Sequence, residues 1–231
     1  MDSMERGPDM PSDAERIKER LAQPPETVSV AGFVAGEGIF RLDLRFDISK
    51  LKQALAECLL KTGYSDDEWK SKGFGVLPLT HRPGQQTPSG NDLSGRYWMR
   101  SDERYVEEAF EEVVDEAGYS EFDARFVGTY FEQVYQELSQ RFPVGRVRVL
   151  SKAPYNCNSW HRDPEPRLHI PIISNPGSLF VVNHHVTHLP ADGSVYFTDT
   201  RGYHMAMNGG IDERVHLVAA LAYGTCPSDS R

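Results

Sequence analysis

Residues 160–173 read WHRDPEPRLHIPII, and the alternation in the second half of this stretch decides the fold. In an extended strand, Arg167 and His169 share one face while leucine and isoleucine share the other, which predicts a strand with one side in a core. Residues 214–221, RVHLVAAL, repeat the pattern from Arg214 onward. If the polar faces point inward, each strand brings an arginine and a histidine into the interior. Buried groups of this kind are costly unless an anion or a polar ligand meets them.

Short β segments separated by turns make up the chain from Val144 onward. Eight such segments are typical of a jelly roll or a barrel, and an Asn-Gly-Gly turn at residues 208–210 precedes the last one. We therefore predict a mainly β fold with flanking helices. The eight predicted strands are 146–152, 155–160, 167–173, 178–182, 186–189, 194–199, 204–208 and 214–222.

His161 and Asp163 lie two residues apart, just before the first of the two Arg/His strands. An extended backbone sends both side chains to the same side, and Pro164 favours an extended conformation at Asp163. With the distal His204 they provide two histidines and one carboxylate, the ligand set that holds non-haem Fe(II) with positions open for substrate and oxygen. A His-x-Asp pair is a weak signal by itself, but the neighbouring Arg/His strands make the combination specific.

On these residues the chain resembles the Fe(II)/2-oxoglutarate-dependent oxygenases, in particular the aspartyl/asparaginyl β-hydroxylase-like family. The resemblance rests on His161-x-Asp163, His204 and Arg214 ten residues further on, and it covers roughly residues 145–224. It implies a double-stranded β-helix, which is a jelly-roll, cupin-like barrel, with the iron at its open end. Vertebrate aspartyl β-hydroxylases lack the carboxylate ligand, whereas Asp163 is present here, as in the related bacterial free-proline hydroxylases. The substrate therefore does not follow from the resemblance.

The same resemblance implies a role for each residue of the site. His161, Asp163 and His204 bind Fe(II), the keto-acid end of 2-oxoglutarate chelates the metal, and Arg214 binds the distal carboxylate with its planar guanidinium. An ion pair of Arg214 with a nearby carboxylate is the structural alternative. Further co-substrate contacts are expected from Arg167, His169 and His216, and weaker substrate contacts from Trp160, Arg201 and Tyr203.

The activity that the resemblance implies is a dioxygenase reaction, in which 2-oxoglutarate and O2 are consumed and an unactivated carbon of an amino acid or a peptidyl side chain is hydroxylated. The alternatives are a cupin-like metal isomerase, a 2-oxoglutarate-independent dioxygenase and a non-catalytic sensor on the same barrel. The first two need no arginine clamp for a dicarboxylate, so Arg214 and Arg167 favour the oxygenase. The complete ligand set counts against the sensor.

A second histidine cluster, NHHVTH at residues 183–188, offers His184 and His188 as ligands on one strand face. A zinc site would need further ligands, and no cysteine or carboxylate completes this set. Solvated loop histidines are the commoner outcome.

The composition argues against several kinds of partner. The formal net charge is −9 and the pI is near 5.4, so no basic stripe is available to meet nucleic acid. No apolar run approaches membrane-spanning length, and the polar N-terminus has no signal-peptide core, so we expect a cytoplasmic protein that acts on a small-molecule amino acid or a peptide. The widely separated Cys58, Cys157 and Cys226 agree with a reducing compartment.

We expect one integrated domain in three parts: a flexible leader over residues 1–25, an elaboration over residues 26–143 that packs on the barrel, and a catalytic core over residues 144–225. Residues 81–91 are rich in Pro, Gly, Gln, Ser and Thr and form either a lid over the site or a long connection. Outside the core, helices are predicted at 14–22, 47–61, 103–116 and 122–141, and strands at 40–46 and 74–79.

Overall fold

The computed structural model describes residues 12–22, 32–63, 73–85, 88–100 and 106–222. By its internal contacts the chain divides into two compact units, Met1–Val30 and Ala31–Arg231. Most of the predicted leader and Cys226 lie outside the described residues, and the division of the chain into leader, elaboration and core stays a prediction.

In the described part of the first unit, helix α1 (Asp13–Ala22) confirms the helix predicted at 14–22. Its start carries a capping box. The Glu15 amide donates to Ser12 Oγ, and the Ser12 amide donates to the Glu15 carboxylate.

The second unit holds the other elements of the described residues. Within the described part of the chain, no helix is both long enough and apolar enough to cross a membrane. The helices are α2 (Ile48–Thr62), α3 (Gly90–Leu93) and α4 (Tyr130–Arg141), with 3-10 turns at Glu116–Gly118 and Ala124–Phe126. The strands are β1 (Ile39–Arg45), β2 (Phe74–Pro78), β3 (Thr80–His81), β4 (Tyr97–Arg100), β5 (Glu107–Phe110), β6 (Glu121–Phe122), β7 (Val144–Lys152), β8 (Asn156–Cys157), β9 (Arg167–Ile173), β10 (Ser178–Val182), β11 (His185–His188), β12 (Ser194–Thr198), β13 (His204–Asn208) and β14 (Arg214–Leu221).

Strands β7 to β14 form a double-stranded β-helix. The larger sheet has the order β1-β12-β9-β14-β7-β2, and the smaller sheet has the order β11-β10-β13-β8. Strand β7 pairs with β14, β8 with β13, β9 with β12 and β10 with β11, all antiparallel, which is the pattern of a long hairpin wound into a jelly roll. The predicted fold class is confirmed, and seven of the eight predicted strands are present; of the strand predicted at 155–160 only Asn156–Cys157 is extended and paired, because Tyr155 has a φ of 55° in the turn before it.

The outer face of the larger sheet carries the main hydrophobic core. Alternation along β9 puts Leu168, Ile170 and Ile172 on this face, where they are buried with apolar residues of β7, β14, α2 and α4. Burying one such side chain contributes about 1.5–3 kcal/mol to the free energy of folding. The opposite face of the same strands is therefore left to face the smaller sheet.

The interior between the two sheets is part apolar and part polar. A second buried cluster, with members from both sheets, contains Ile39, Phe180, Val182, Leu189, Tyr196 and Ala206. The polar residues that the alternation turns inward are also buried, among them Lys152, His169, Arg214 and His216. The polar part of the interior is where a site can form.

Helix α2 packs on the barrel because its sequence specifies both ends and one face. The Asp47 side chain accepts hydrogen bonds from the amides of Ser49 and Lys50 at its start. The helix ends at Gly63, whose φ of 73° is a left-handed conformation that glycine adopts without strain. The helix predicted at 47–61 is confirmed. Its buried stripe consists of Leu51, Ala54, Leu55, Cys58 and Leu59.

Strands β1 and β2 come from outside the barrel and extend the larger sheet at its two edges. Strand β1 pairs with β12, and β2 pairs with β7. The strands predicted at 40–46 and 74–79 are thereby confirmed. The larger sheet thus grows from the four strands of the barrel to six.

The helix predicted over residues 103–116 is wrong where the structure describes it. Residues 107–110 form β5, which pairs with β4 in an antiparallel hairpin, while residues 101–105 lie outside the described part. Tyr97 stacks on Phe110 with ring centroids 5.3 Å apart, and Glu107 accepts two hydrogen bonds of 2.6 Å from Arg162. These tertiary contacts outweigh the helix propensity of a glutamate-rich segment.

The helix predicted over residues 122–141 begins only at Tyr130. Gly128 has a φ of +84°, which interrupts a helix, and Thr129 is extended at the N-cap position. Residues 121–126 form β6 and a 3-10 turn instead, so the first part of that prediction is wrong. Of the predicted loop 81–91, residues 86–87 lie outside the described residues and its end forms the start of α3.

Candidate metal centre

The structure brings His161, Asp163 and His204 together at one point of the barrel. The His161 amide donates to the His204 carbonyl at 3.2 Å, and the His204 amide donates to the His161 carbonyl at 2.8 Å. The Asp163 amide donates to the Thr200 carbonyl at 2.8 Å. One ligand atom from each of the three side chains lies within 4.8 Å of the other two. Among the residues that the structure describes, this is the one group of three with spacing suited to a metal ion.

Both histidines present Nε2 to the Asp163 carboxylate. Nδ1 of His161 lies 2.7 Å from the Ser159 carbonyl, and Nδ1 of His204 lies 3.1 Å from the Gly202 carbonyl. Because a carbonyl oxygen only accepts, each Nδ1 carries the hydrogen and each Nε2 keeps its lone pair. The two Nε2 atoms lie 4.0 Å and 3.3 Å from the oxygens of Asp163. Backbone carbonyls thus orient both rings as metal ligands.

Asp163 is ionised although it is buried. Burial raises the pKa of a carboxyl group, but Arg167 at 2.9 Å and the two histidines hold the pKa of Asp163 well below its usual range. Burial lowers the pKa of His161, and the neighbouring His204 acts in the same direction. A neutral imidazole and an ionised carboxylate are the forms that bind a metal ion.

The cluster opens into a cavity of about 360 Å³ that residues of both sheets line. Among the described lining residues Asp163 is the only carboxylate, whereas four side chains are cationic: Arg148, Lys152, Arg167 and Arg214. The cavity is therefore electropositive and suits an anion. Its other lining residues are Phe74, Leu93, Ser94, Gly95, Tyr97, Leu150, Asn158, Ser159, His161, His169, Phe180, Thr200, His204 and Ala206.

Two of these cations, Arg214 and Lys152, lie directly opposite each other on β14 and β7. Neither forms an ion pair with a carboxylate in the described part of the chain; Nη2 of Arg214 lies 3.1 Å from His216, and Nζ of Lys152 donates to Asn158. Burial lowers the pKa of Arg214 to about 10, and burial together with Arg214 lowers the pKa of Lys152 to about 8. Both remain mostly cationic at neutral pH, and no carboxylate of the described residues pairs with them.

The two inward histidines of the Arg/His strands lie beside this pair. Nδ1 of His216 lies 3.3 Å from Nδ1 of His169 and receives the hydrogen bond from Arg214. Burial keeps the pKa of both histidines well below the ordinary value, with Arg214 as the next cause, so both rings are neutral. His169 lines the cavity and its buried Nε2 has no partner among the described residues, whereas His216 does not line the cavity and supports Arg214 from behind.

Arg167 has a different surrounding from the one expected. Its guanidinium forms ion pairs with Asp163 at 2.9 Å and with Glu165 at 3.0 Å. Arg167 was expected to contact the co-substrate, but its guanidinium is paired with carboxylates of the protein. In the structure it holds Asp163 in place.

The three weaker substrate candidates do not line the cavity. Trp160 is 47% exposed. The Arg201 guanidinium donates to Asp199 at 2.7 and 2.8 Å, and the Tyr203 hydroxyl donates to Glu107 at 2.9 Å. Contact of any of them with a substrate stays a prediction.

The zinc alternative at residues 183–188 is wrong. His184 has a φ of 67° and lies in the turn before β11, so it does not share a strand face with His188. His188 is buried, with Nδ1 3.0 Å from the Ser178 carbonyl. Neither residue joins a metal-binding group of three among the described residues.

Lys152, Arg148 and Tyr97 line the cavity but were not identified from the sequence. A signal for the first two is present, because residues 146–152 read RVRVLSK and place Arg148 and Lys152 on the face opposite Val147 and Val149. This is the same cation-in, apolar-out alternation as in the two Arg/His strands. Tyr97 carries no comparable signal.

No protein-family model matches the chain, and no curated protein matches it. Solved structures with a similar fold include an oxidoreductase of the 2OG-Fe(II) oxygenase family from Burkholderia pseudomallei, which is 13% identical with a TM-score of 0.48 over 87% of this chain and 98% of that one. The viral collagen prolyl hydroxylase vCPH from Paramecium Bursaria Chlorella virus-1 is 10% identical with a TM-score of 0.44, over 80% and 96%. A Pseudomonas putida prolyl-4-hydroxylase is 13% identical with a TM-score of 0.40, over 80% and 91%.

Proposed function

We propose that the protein is an Fe(II)/2-oxoglutarate-dependent dioxygenase that hydroxylates an unactivated carbon of an amino acid or a peptidyl side chain. The observation that carries the proposal is the presence, in one cavity, of a three-ligand cluster and of two buried cations, Arg214 and Lys152, that have no carboxylate partner among the residues that the structure describes. A facial set of three ligands leaves positions open on a metal. Two neighbouring cations suit a carboxylate of a dicarboxylate co-substrate.

The donor set fits Fe(II). Two neutral imidazoles and one ionised carboxylate are the ligands of the non-haem iron oxygenases, so His161, Asp163 and His204 would hold the metal. Arg214 and Lys152 would hold the distal carboxylate of 2-oxoglutarate, and the partnerless Nε2 of His169 offers a further polar contact. When bound, Fe(II), 2-oxoglutarate and O2 would supply the oxidising chemistry, which side chains alone do not provide.

The chain would orient the bound groups and shield them from water with apolar side chains. The Phe180 ring lies against both His169 and His204, with centroids 5.1 Å and 5.9 Å apart. Leu150 lies on β7 between Arg148 and Lys152 and also faces the cavity. Apolar surface at these positions excludes water, which strengthens the electrostatic contacts of a bound dicarboxylate.

The finer parts of the proposal have separate supports. The spacing of His161, Asp163, His204 and Arg214 supports membership of the aspartyl/asparaginyl β-hydroxylase-like branch. The cavity of about 360 Å³ is near the small end of ligand sites, which favours a free amino acid or a single side chain as substrate. The acidic net charge of −9 argues against nucleic acid as the partner, and the free Cys58 and Cys157 agree with the cytoplasm.

An anaerobic titration tests the proposal. Addition of 2-oxoglutarate to the Fe(II)-loaded protein should produce the weak visible metal-to-ligand band of a chelated ternary complex. Succinate should then form when O2 is admitted. A protein that binds Fe(II) but shows neither the band nor succinate would overturn the proposal and favour a cupin-like metal enzyme that does not use 2-oxoglutarate.

A further inference from the structure

Arg148 lines the same cavity at a place that the proposed metal and co-substrate sites do not use. Its side chain is 5% exposed. Nη1 donates to the Leu93 carbonyl at 3.1 Å, and Nε has no hydrogen-bond partner within the described part of the chain. A buried guanidinium normally has its donors satisfied, so the free donor is available to a ligand.

No carboxylate of the described residues forms an ion pair with Arg148. Glu116 binds Arg146 at 2.5 Å, and Glu165 binds Arg167 at 3.0 Å. Burial lowers the pKa of Arg148 to about 9, and the neighbouring arginines act in the same direction, so the group is cationic at neutral pH without an anion of its own. A buried charge in this condition is costly unless a ligand compensates it.

Arg148 lies too far along the strand to be needed for the co-substrate. It is four residues from Lys152 on the same face of β7, which separates their backbones by about 13 Å. A five-carbon diacid has four C–C bonds of about 1.5 Å each and spans no more than about 6 Å. With its distal carboxylate at Arg214 and Lys152 and its keto-acid end at the metal, such a molecule would have no carboxylate left for Arg148, which is left for a second ligand.

Residues 93–98 connect Arg148 to the metal centre. At one end the Leu93 carbonyl accepts the Arg148 hydrogen bond. At the other end the Tyr97 ring contacts His161 edge-on, with centroids 5.8 Å apart, and the Trp98 amide donates to the Arg162 carbonyl at 2.9 Å. A small ligand that lies along this segment has one end at Arg148 and the other beside His161.

We propose that Arg148 is the anion site for the substrate, and that the substrate is a small carboxylic acid whose carboxylate binds Arg148 while the carbon to be oxidised lies beside the metal ligands. This inference rests on the proposed function and names its substrate class. A free α-carboxylate and an acidic side chain offer the same chemistry, and the experiment below distinguishes them.

The test uses anaerobic Fe(II)-loaded protein saturated with 2-oxoglutarate, as confirmed by the visible band, and measures binding by calorimetry. The probes are the twenty L-amino acids as free acids, each of them as its C-terminal amide, and N-acetylated aspartate and glutamate amides. At least one free acid or one acidic side chain should bind at least tenfold more tightly than its uncharged counterpart. Binding of the free acids points to the α-carboxylate, and binding of the N-acetylated amides points to the acidic side chain.

Arg148→Gln should abolish that preference by lowering the affinity for the acid at least tenfold. The affinity for 2-oxoglutarate should change less than about twofold. Arg148→Lys, which keeps a positive charge, should bind the acid with an affinity between those of wild type and Arg148→Gln. Arg141→Gln, on the exposed face of α4, should behave as wild type. The inference is overturned if no acid binds wild-type protein, if the amides that lack an acidic side chain bind as well as the corresponding free acids while neither N-acetylated acidic amide binds, or if Arg148→Gln keeps the preference. Loss of the visible band in wild type is a different result, since it overturns the proposed function itself.

Discussion

Arg214 and Lys152 face each other across two neighbouring strands of the barrel, and both side chains are buried in the wall of one cavity. Opposite residues of an antiparallel pair have Cβ atoms about 5 Å apart, so two cations in this position repel each other. The depressed pKa of Lys152, about 8, reflects burial and this repulsion. The pair is explained if a dicarboxylate binds between the two charges.

Truncation of Arg214 should damage co-substrate binding and spare the metal. Arg214→Ala leaves a buried carboxylate with one cation fewer, a loss on the order of 3–5 kcal/mol in a dry site, or at least about two orders of magnitude in affinity. Fe(II) binding should persist because no ligand changes. Titration of 2-oxoglutarate under anaerobic conditions measures the effect. If Arg214→Ala binds 2-oxoglutarate as tightly as wild type, the clamp is elsewhere.

Lys152 should make the affinity for 2-oxoglutarate depend on pH. The ammonium form binds the carboxylate, it is present below the pKa of about 8, and a bound anion raises that pKa. The affinity should therefore fall above pH 8 by up to about tenfold per pH unit. Binding measured from pH 7 to pH 9 should show this slope in wild type and in Lys61→Met, an exposed control at the end of α2. A slope that persists in Lys152→Met would assign the effect to another group.

Removal of either histidine ligand should abolish iron binding and turnover without unfolding the barrel. His161→Ala and His204→Ala each delete one of the two nitrogen ligands, and neither side chain belongs to the hydrophobic clusters. Metal analysis after loading under limiting Fe(II) should show low occupancy, and succinate formation should cease. Circular dichroism should remain as in wild type. Full activity in both variants at limiting iron contradicts the assignment.

Glu116 should be a stability residue rather than a site residue. It is 6% exposed and its carboxylate binds Arg146, which is 2% exposed, at 2.5 Å. Glu116→Ala removes the nearer of the two carboxylates that face the buried guanidinium and leaves Glu165 at 3.8 Å, which should cost about 3–5 kcal/mol in urea unfolding. Glu137→Ala removes the partner of an exposed i,i+4 pair on α4 and should cost no more than about 0.5 kcal/mol. Equal midpoints for the two variants would show that the buried pair adds nothing.

The barrel could be predicted because its strands have a strong local pattern. Residues 167–170 alternate between polar and apolar, residues 171–173 continue as an apolar run, and turn residues lie on either side; β9 spans the same residues, 167–173. The grouping of His161, Asp163 and His204 could be predicted for a related reason. A facial triad needs fixed residue types, and a spacing of two puts His161 and Asp163 on the same side of an extended chain.

The remaining features depend on strand pairing and side-chain contacts that cannot be inferred from local sequence patterns. Lys152 becomes part of the site because the register of β7 against β14 puts it opposite Arg214. The segment 103–116 was predicted as a helix, but β5 is held by its hairpin with β4 and by the hydrogen bonds from Arg162 to Glu107. Arg167 was expected at the co-substrate from the family resemblance, and nothing in the sequence shows that Asp163 and Glu165 would lie within 3.0 Å of it.

The two strands that extend the larger sheet, β1 and β2, determine the smallest fragment of this protein that can fold without exposed sheet edges. A fragment of residues 144–222 would keep every proposed ligand and all eight barrel strands. It would also expose the backbone donors and acceptors of β12 and β7 that β1 and β2 now satisfy. Such bare edges recruit strands from other molecules, so the fragment should aggregate rather than work alone. Any graft, minimal expression fragment or designed scaffold based on this barrel must therefore begin no later than β1.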